Sequence, residues 1–299
     1  MKTRVFVLTL LAMIAFASNS LLCRAALRDT GIDAASFTFI RIFAGAFALW
    51  LIVRSRAAVA AVCDRRDNWS GAHRTPLQGN WISAFALFAY AAAFSFAYNT
   101  LSAGTGALLL FGAVQATMIL WGFHKGERLD GIQIAGLIVA ITGLIVLVFP
   151  GLTAPPVIGS ILMLSAGLAW GVYSLRGKGT TDAISATTGN FLRAIPFAAL
   201  VSAIMIRQTH LDSLGVSYAL VSGAITSGIG YVIWYTILPQ IKASSAAVIQ
   251  LSAPVLAATG GILLLGEPIS LRYLIASVAV LGGILLVIIE KKSRTENQQ

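Results

Sequence analysis

Ten long apolar stretches take up most of this chain, near 5–23, 36–53, 82–99, 104–122, 131–149, 157–175, 189–206, 214–237, 243–265 and 271–289. Each is close to the ~20 residues an α-helix needs to cross ~30 Å of hydrocarbon. Inside lipid the backbone polar groups must be satisfied within the segment or in a closed barrel. Barrel strands alternate polar and apolar residues over about ten positions, and these stretches do not alternate. Only 11% of the residues are charged and 58% are hydrophobic, where a soluble domain has about 25% charged. The expectation is an all-α integral membrane protein with ten transmembrane helices.

The chain carries a net charge of +10, which invites a nucleic-acid reading until the charges are placed. With the N-terminus inside, fifteen basic residues fall on cytoplasmic segments: Lys2, Arg4, Arg54, Arg56, Arg65, Arg66, Arg74, Lys125, Arg128, Arg176, Lys178, Lys242, Lys291, Lys292 and Arg294. Four fall outside, Arg24, Arg28, Arg207 and Arg272, and Arg41 and Arg193 lie within spans. This is the positive-inside bias. It accounts for the basic charge without nucleic acid and puts both termini in the cytoplasm.

The first span resembles a signal peptide, with Lys2 and Arg4 before an apolar run. It also has an internal counterpart. At an offset of 152, Arg24 matches Arg176, Ser36 matches Thr188 and Arg41 matches Arg193. The equivalent stretch at 157–175 cannot be a signal peptide, so the first is expected to be retained. A second match lies at an offset of 140, where Gly126-Glu127 pairs with Gly266-Glu267, Asp130 with Ser270 and Gly143 with Gly283. The offset changes across a long polar loop, 54–81, read as a cytoplasmic excursion with no specific role. The chain therefore reads as two five-helix repeats, 1–150 and 151–290, with a cytoplasmic tail at 291–299. Five is odd, so the second repeat enters the membrane from the opposite side and the halves are inverted.

Arg41 and Arg193 each follow a plausible helix cap, Ser36 and Thr188, by five residues, or about 7.5 Å. That puts them near an interface. They suit either structural bonding to backbone carbonyls or recognition of an anion. Glu127 and Glu267 read as parts of tight turns: Gly126 and Gly266 take the left-handed conformation, and Asp130 and Ser270 cap the following helices. Asn19, Gln115, Thr117, Trp170, Tyr173, Tyr231, Gln250 and Ser252 lie within spans, where they either line a cavity or bond between helices. Tyr98 and Tyr235 sit at span ends and read as interfacial belt residues. Pro196 and Pro254 lie inside spans and free backbone carbonyls, and the small-residue runs 135–143 and 275–283 suit close helix packing.

No Asp or Glu lies in the middle of a span and the three histidines fall in or beside loops, so no buried proton relay is expected. No paired acids or Ser/His set point to a catalytic residue. Cys23 and Cys63 form no metal-binding pattern, no GxxxxGK[ST] loop is present, and no cofactor is expected. The partners implied are the lipid bilayer and a small-molecule solute, with no nucleic acid; oligomeric state stays open, a monomer included.

Ile40-Arg41, Leu192-Arg193, Gly126-Glu127, Gly266-Glu267-Pro268 and Trp170-Gly171-Val172-Tyr173, in this order over ten spans, resemble EamA-type members of the drug/metabolite transporter superfamily. The resemblance covers nearly the whole chain. It implies a ten-helix inner-membrane carrier with a central cavity between the halves, moving amino acids, other metabolites or drugs, often outward. Related small multidrug carriers use a glutamate in their first span; here Asn19 and Ser20 stand there. The competing readings are a non-transporting scaffold or receptor, which predicts a dry interface between the halves, and an intramembrane enzyme.

Overall fold

The computed structural model describes residues 3–64, 77–124, 126, 130–149, 154–177, 180, 182–237, 240 and 249–296. Glu127 lies outside them, as do residues 65–76 of the long loop and the end of the tail (297–299). Among the described residues every regular element is helical. The elements are α1 (Thr3–Asp29), α2 (Ala34–Asp64), α3 (Trp81–Tyr98), α4 (Ala103–His124), α5 (Gly131–Val148), α6 (Val157–Gly177) and α7 (Ala183–Ile204). A rod then runs from α8 (Ser213–Val221) through a π segment (Ser222–Ile229) into α9 (Gly230–Ile237), followed by α10 (Ser252–Leu265) and α11 (Leu271–Glu296). Seven rods are long and apolar enough to cross a membrane. α7 has the length, but Thr187, Thr188 and Asn190 interrupt its apolar run and are buried in the bundle.

Side chains set most boundaries. Asn80 accepts from the Ser83 amide, Asp212 from the Gly215 amide and Ser270 from the Tyr273 amide, while Asp130 and Gln133 form a reciprocal capping box. Gly126 and Gly266 have φ of 89° and 63°, the left-handed conformation expected for them. Pro196 lies inside α7, whereas Pro254 sits in the first turn of α10, where proline removes no helical hydrogen bond.

Two expectations are corrected. The caps before the span arginines are Asp33 and Asp182, not Ser36 and Thr188. Asp33 Oδ1 accepts from the Ala35 and Ser36 amides, and Asp182 Oδ1 from the Ile184 and Ser185 amides. The helices start earlier, so Arg41 lies about 12 Å and Arg193 about 16 Å along their axes from the caps. Tyr98 is not a belt residue. It is fully buried and its hydroxyl donates to the Ala103 carbonyl.

α2 packs on α7, α3 on α6 and α7, α4 on α6 and α10, and α1 on the α8–α9 rod and α10. α5 and α11 form a close pair that also packs on α4. On α5 a stripe of Gly136, Ala140, Gly143 and Leu147 is buried. A Cβ on Gly143 would meet Ala279 Cβ at 2.7 Å, and one on Gly283 would strike the Gly136 carbonyl oxygen. The small residues therefore let the two backbones approach. Outward, α5 exposes Ile132, Ile134, Ile138 and Ile145, a surface suited to lipid tails.

Asp33 joins α2 to the start of the α8–α9 rod, because its Oδ2 also accepts from the His210 amide at 3.0 Å. Burial raises this carboxyl, but the hydrogen bonds from Ser36, His210 and Ala35 outweigh it and hold the group below the usual carboxylate range. Its stabilising contribution is thus present above that range and is lost as pH falls through the lowered value. Asp33→Ala is expected to destabilise the protein by about 1–2 kcal/mol, read as a fall in melting temperature in detergent. The deficit relative to wild type should shrink in acid.

Candidate functional site

The middle of the bundle holds a polar cluster built by α1, α2, α3 and the π segment. Asn19 Oδ1 accepts from Ser222 Oγ at 2.6 Å and from Thr226 Oγ1 at 3.3 Å, and its amide donates to the Tyr90 hydroxyl at 3.4 Å. Arg41, 2% exposed, donates from Nη2 to the same hydroxyl at 3.1 Å and from Nε to Ser227 Oγ at 3.4 Å. The rings of Phe94 and Tyr90 lie 4.9 and 5.3 Å from its guanidinium carbon, within cation–π range. Its Nη1 is buried and, among the described residues, has no hydrogen-bond acceptor.

Aromatic rings continue from Tyr90 toward one end of the bundle. Trp170 lies 4.8 Å from Tyr90, 5.3 Å from Tyr231 and 5.4 Å from Tyr173, and Tyr231 lies 6.4 Å from Tyr235. Tyr173 and Tyr235 line a cavity of about 130 Å³ whose other walls include Asn80, Thr187 and Asn190. Arg176 stands in its rim and donates to Ser83 Oγ and Asn80 Oδ1. This vestibule lies where α3 and α7 begin and α6 ends.

The opposite end is tied shut. Glu267, 9% exposed, accepts from Arg24 Nε at 3.1 Å and from the Ala103 amide at 2.8 Å. Arg24 Nη1 also donates to the carbonyls of Tyr98 and Asn99, and Arg28 Nη1 to that of Leu265. The ends of α1, α3, α4 and α10 are thereby joined. Glu267 is thus more than part of a local turn. It satisfies a free amide at the start of α4, a different helix from the one it precedes.

Of the residues singled out in the sequence, Asn19, Arg41, Trp170, Tyr173 and Tyr231 converge on this core. Arg193 does not join them; its Nη1 donates to the Gly189 carbonyl of its own helix at 3.0 Å. Gln115 is buried on α4, and Thr117 bonds the Ala113 carbonyl and packs on Gly171. Gln250 is half-buried, and Ser252 is exposed and bonds the Ile249 carbonyl. Sequence reasoning passed over Ser222, Thr226 and Ser227. Three hydroxyls within six positions of an apolar span were the signal available.

The Tyr90 hydroxyl accepts from both Arg41 and Asn19. Tyr90→Phe leaves those donors buried and unmatched, and is expected to cost about 1–3 kcal/mol with almost no change in volume. Thermal unfolding in detergent checks this; an unchanged melting temperature would count against the cluster as drawn.

A model of the EamA-like transporter family matches residues 3–149 and 157–289. The chain belongs to that family. An uncharacterized protein of Pseudomonas aeruginosa is 51% identical over 99% of this chain and 98% of its own length. An uncharacterized transporter of Archaeoglobus fulgidus is 25% identical over 85% of this chain and 91% of its own. A probable amino-acid metabolite efflux pump of Escherichia coli is 28% identical over 62% of this chain and 67% of its own. A solved crystal structure shares the fold, with a TM-score of 0.61 at 16% identity, covering 97% of this chain and 99% of that one. This EamA-type protein of the drug/metabolite transporter superfamily is accordingly a multi-pass membrane transporter, and the family points away from an enzyme.

Proposed function

We propose that this EamA protein is a secondary transporter that carries a small metabolite across the cytoplasmic (inner) membrane by alternating access, as an exporter or exchanger. The observation that carries this reading is the buried cluster around Arg41, connected by aromatic rings to a polar vestibule at one end of the bundle and sealed at the other. A scaffold has no use for an unmatched buried cation joined by a run of aromatic rings to a polar cavity. The two halves, 1–150 and 151–290, act as inverted repeats. Exchanging each span with the one five places on carries the α3/α6 contact onto that of the α8–α9 rod with α1. It carries α4/α6 onto α10/α1, and α2/α7 and α5/α11 onto themselves. The basic bias of the loops supports cytoplasmic termini and tail, with the vestibule facing the cytoplasm and the Arg24–Glu267 tie facing out. The amino-acid metabolite efflux named for the E. coli relative makes small carboxylate-bearing metabolites the first solutes to try.

Reconstitution in liposomes tests the reading. Counterflow of at least one solute from a broad metabolite panel, absent from protein-free vesicles, is expected. Silence across the panel would reject a transporter of small metabolites.

A further inference from the structure

Arg41 carries a permanent positive charge and, among the described residues, has no acid to meet it. Among the described side chains the acids Asp29, Asp33, Asp130, Asp182, Asp212 and Glu267 all stand at helix ends or in turns, and none pairs with Arg41. Its Nη2 and Nε reach only neutral hydroxyls, at 3.1 and 3.4 Å, and Nη1 reaches nothing. A buried charge in this position calls for an anion, and the planar guanidinium fork matches a carboxylate. It does not match a dianion. Arg193 turns back on its own helix, and no lysine falls within a span, so a phosphate monoester would find one cation for two charges.

A zwitterion fits no better. Its ammonium would enter a core that already holds one cation. Asn19 Oδ1, an acceptor in the same cluster, is taken by Ser222 and Thr226, and the faces of Tyr90 and Phe94 are turned to Arg41. The rings of Tyr90, Trp170 and Tyr231, with centroids 4.8 and 5.3 Å apart in sequence, offer an apolar body its contact. Those rings pack between the vestibule and Arg41, so a solute reaches Arg41 only when they part.

We infer that the transported solute is a net monoanion: an amphipathic monocarboxylate without an ammonium group, seated with its carboxylate on Arg41 and its apolar body among Tyr90, Trp170 and Tyr231. This rests on the transport reading above and narrows it to one charge class.

Two matched series test it with the full chain in proteoliposomes. One is 3-phenylpropanoate, L-phenylalanine and 2-phenylethylamine; the other is 4-methylpentanoate, L-leucine and 3-methylbutylamine. Within a series the apolar body is constant and the charge changes. In at least one series the carboxylate is expected to show counterflow about tenfold or more above its zwitterionic and cationic partners, because an unmatched buried charge separates them. Arg41→Gln should remove that preference and Arg41→Lys should keep part of it. The wild-type series needs no variant, so the test survives if Arg41→Gln fails to fold. Counterflow of the amino acid or amine equal to or faster than the carboxylate in every series that is transported overturns the inference and leaves the transporter reading intact. A folded Arg41→Gln protein that still prefers the carboxylate overturns the seat. No counterflow from any of the six overturns the inference, and silence of the broad panel as well removes the transporter reading with it.

Discussion

Replacing Glu267 with alanine will open the sealed end of the bundle and expose Cys23 to thiol reagents. Cys23 is fully buried one residue before Arg24. The Glu267 carboxylate holds three helices: α10 carries it just past its end, α1 donates through Arg24 Nε, and α4 donates through the Ala103 amide. The side chains of Arg24 and Glu267 are 14% and 8% exposed, so water screens the pair weakly. Removing one partner of such a pair costs about 3 kcal/mol or more, because the other is left uncompensated. Arg24 keeps its bonds to Tyr98 and Asn99 through Nη1, so the structure should loosen at that end before it unfolds. Spent on opening, about 3 kcal/mol is roughly a hundredfold in population. Maleimide labelling in a Cys63→Ser background, leaving Cys23 as the one thiol, should accelerate by one to two orders of magnitude. Glu267→Gln keeps an acceptor for the Ala103 amide and should fall between. Labelling as slow as wild type, with an unchanged melting temperature, would show that the tie does not hold this end.

Gly223→Val is expected to damage the core severely. Gly223 lies in the π segment against α2. A Cβ there would strike the Arg41 carbonyl oxygen and come within 2.9 Å of Ala44 Cβ. The facing Gly45 is just as constrained, with the Gly223 carbonyl oxygen 3.1 Å and Phe191 2.6 Å from where its own Cβ would be. Backbone cannot rotate aside as a side chain can, so α2 must move away. Overpacking of this kind costs about 1–3 kcal/mol even where side chains can adjust, and here it also displaces Arg41. A fall in melting temperature, a smaller monodisperse fraction on size exclusion, and loss of solute counterflow in whatever folds should appear together. Gly282→Val, where a Cβ meets open space, is the control and should leave all three close to wild type.

Some features were legible because they are local. Gly126 and Gly266 adopt positive φ because a chain leaving one helix for the next reverses most easily there. Asp130 caps α5 because its oxygen reaches a free amide three residues on. Other features were not local. Asp33 and Asp182 outrank Ser36 and Thr188 as caps, since the helices run past their apolar stretches into polar sequence. Glu267 looks like a turn residue until α4 arrives, 164 positions away, with an unsatisfied amide. Arg41 and Arg193 look equivalent at an offset of 152, yet one points into the bundle and the other bonds its own helix. Neither sequence neighbourhood distinguishes them.

The division has a physical origin. The sequence alone determined that the chain folds into apolar, membrane-type helices and the character of several of their ends, because lipid requires each segment to satisfy its own backbone and to cover it with apolar side chains. The same requirement erases the pattern that would say which face of a helix turns inward, since both lipid-facing and protein-facing sides are apolar. Which polar side chains meet is therefore decided by helix contacts. Asn19 with Ser222 and Thr226, Arg41 between Tyr90 and Phe94, and Glu267 with Arg24 each join residues dozens to hundreds of positions apart. Only the tertiary structure left Arg41 with a buried Nη1 and no acceptor, and on that nitrogen the assignment of the solute's charge depends.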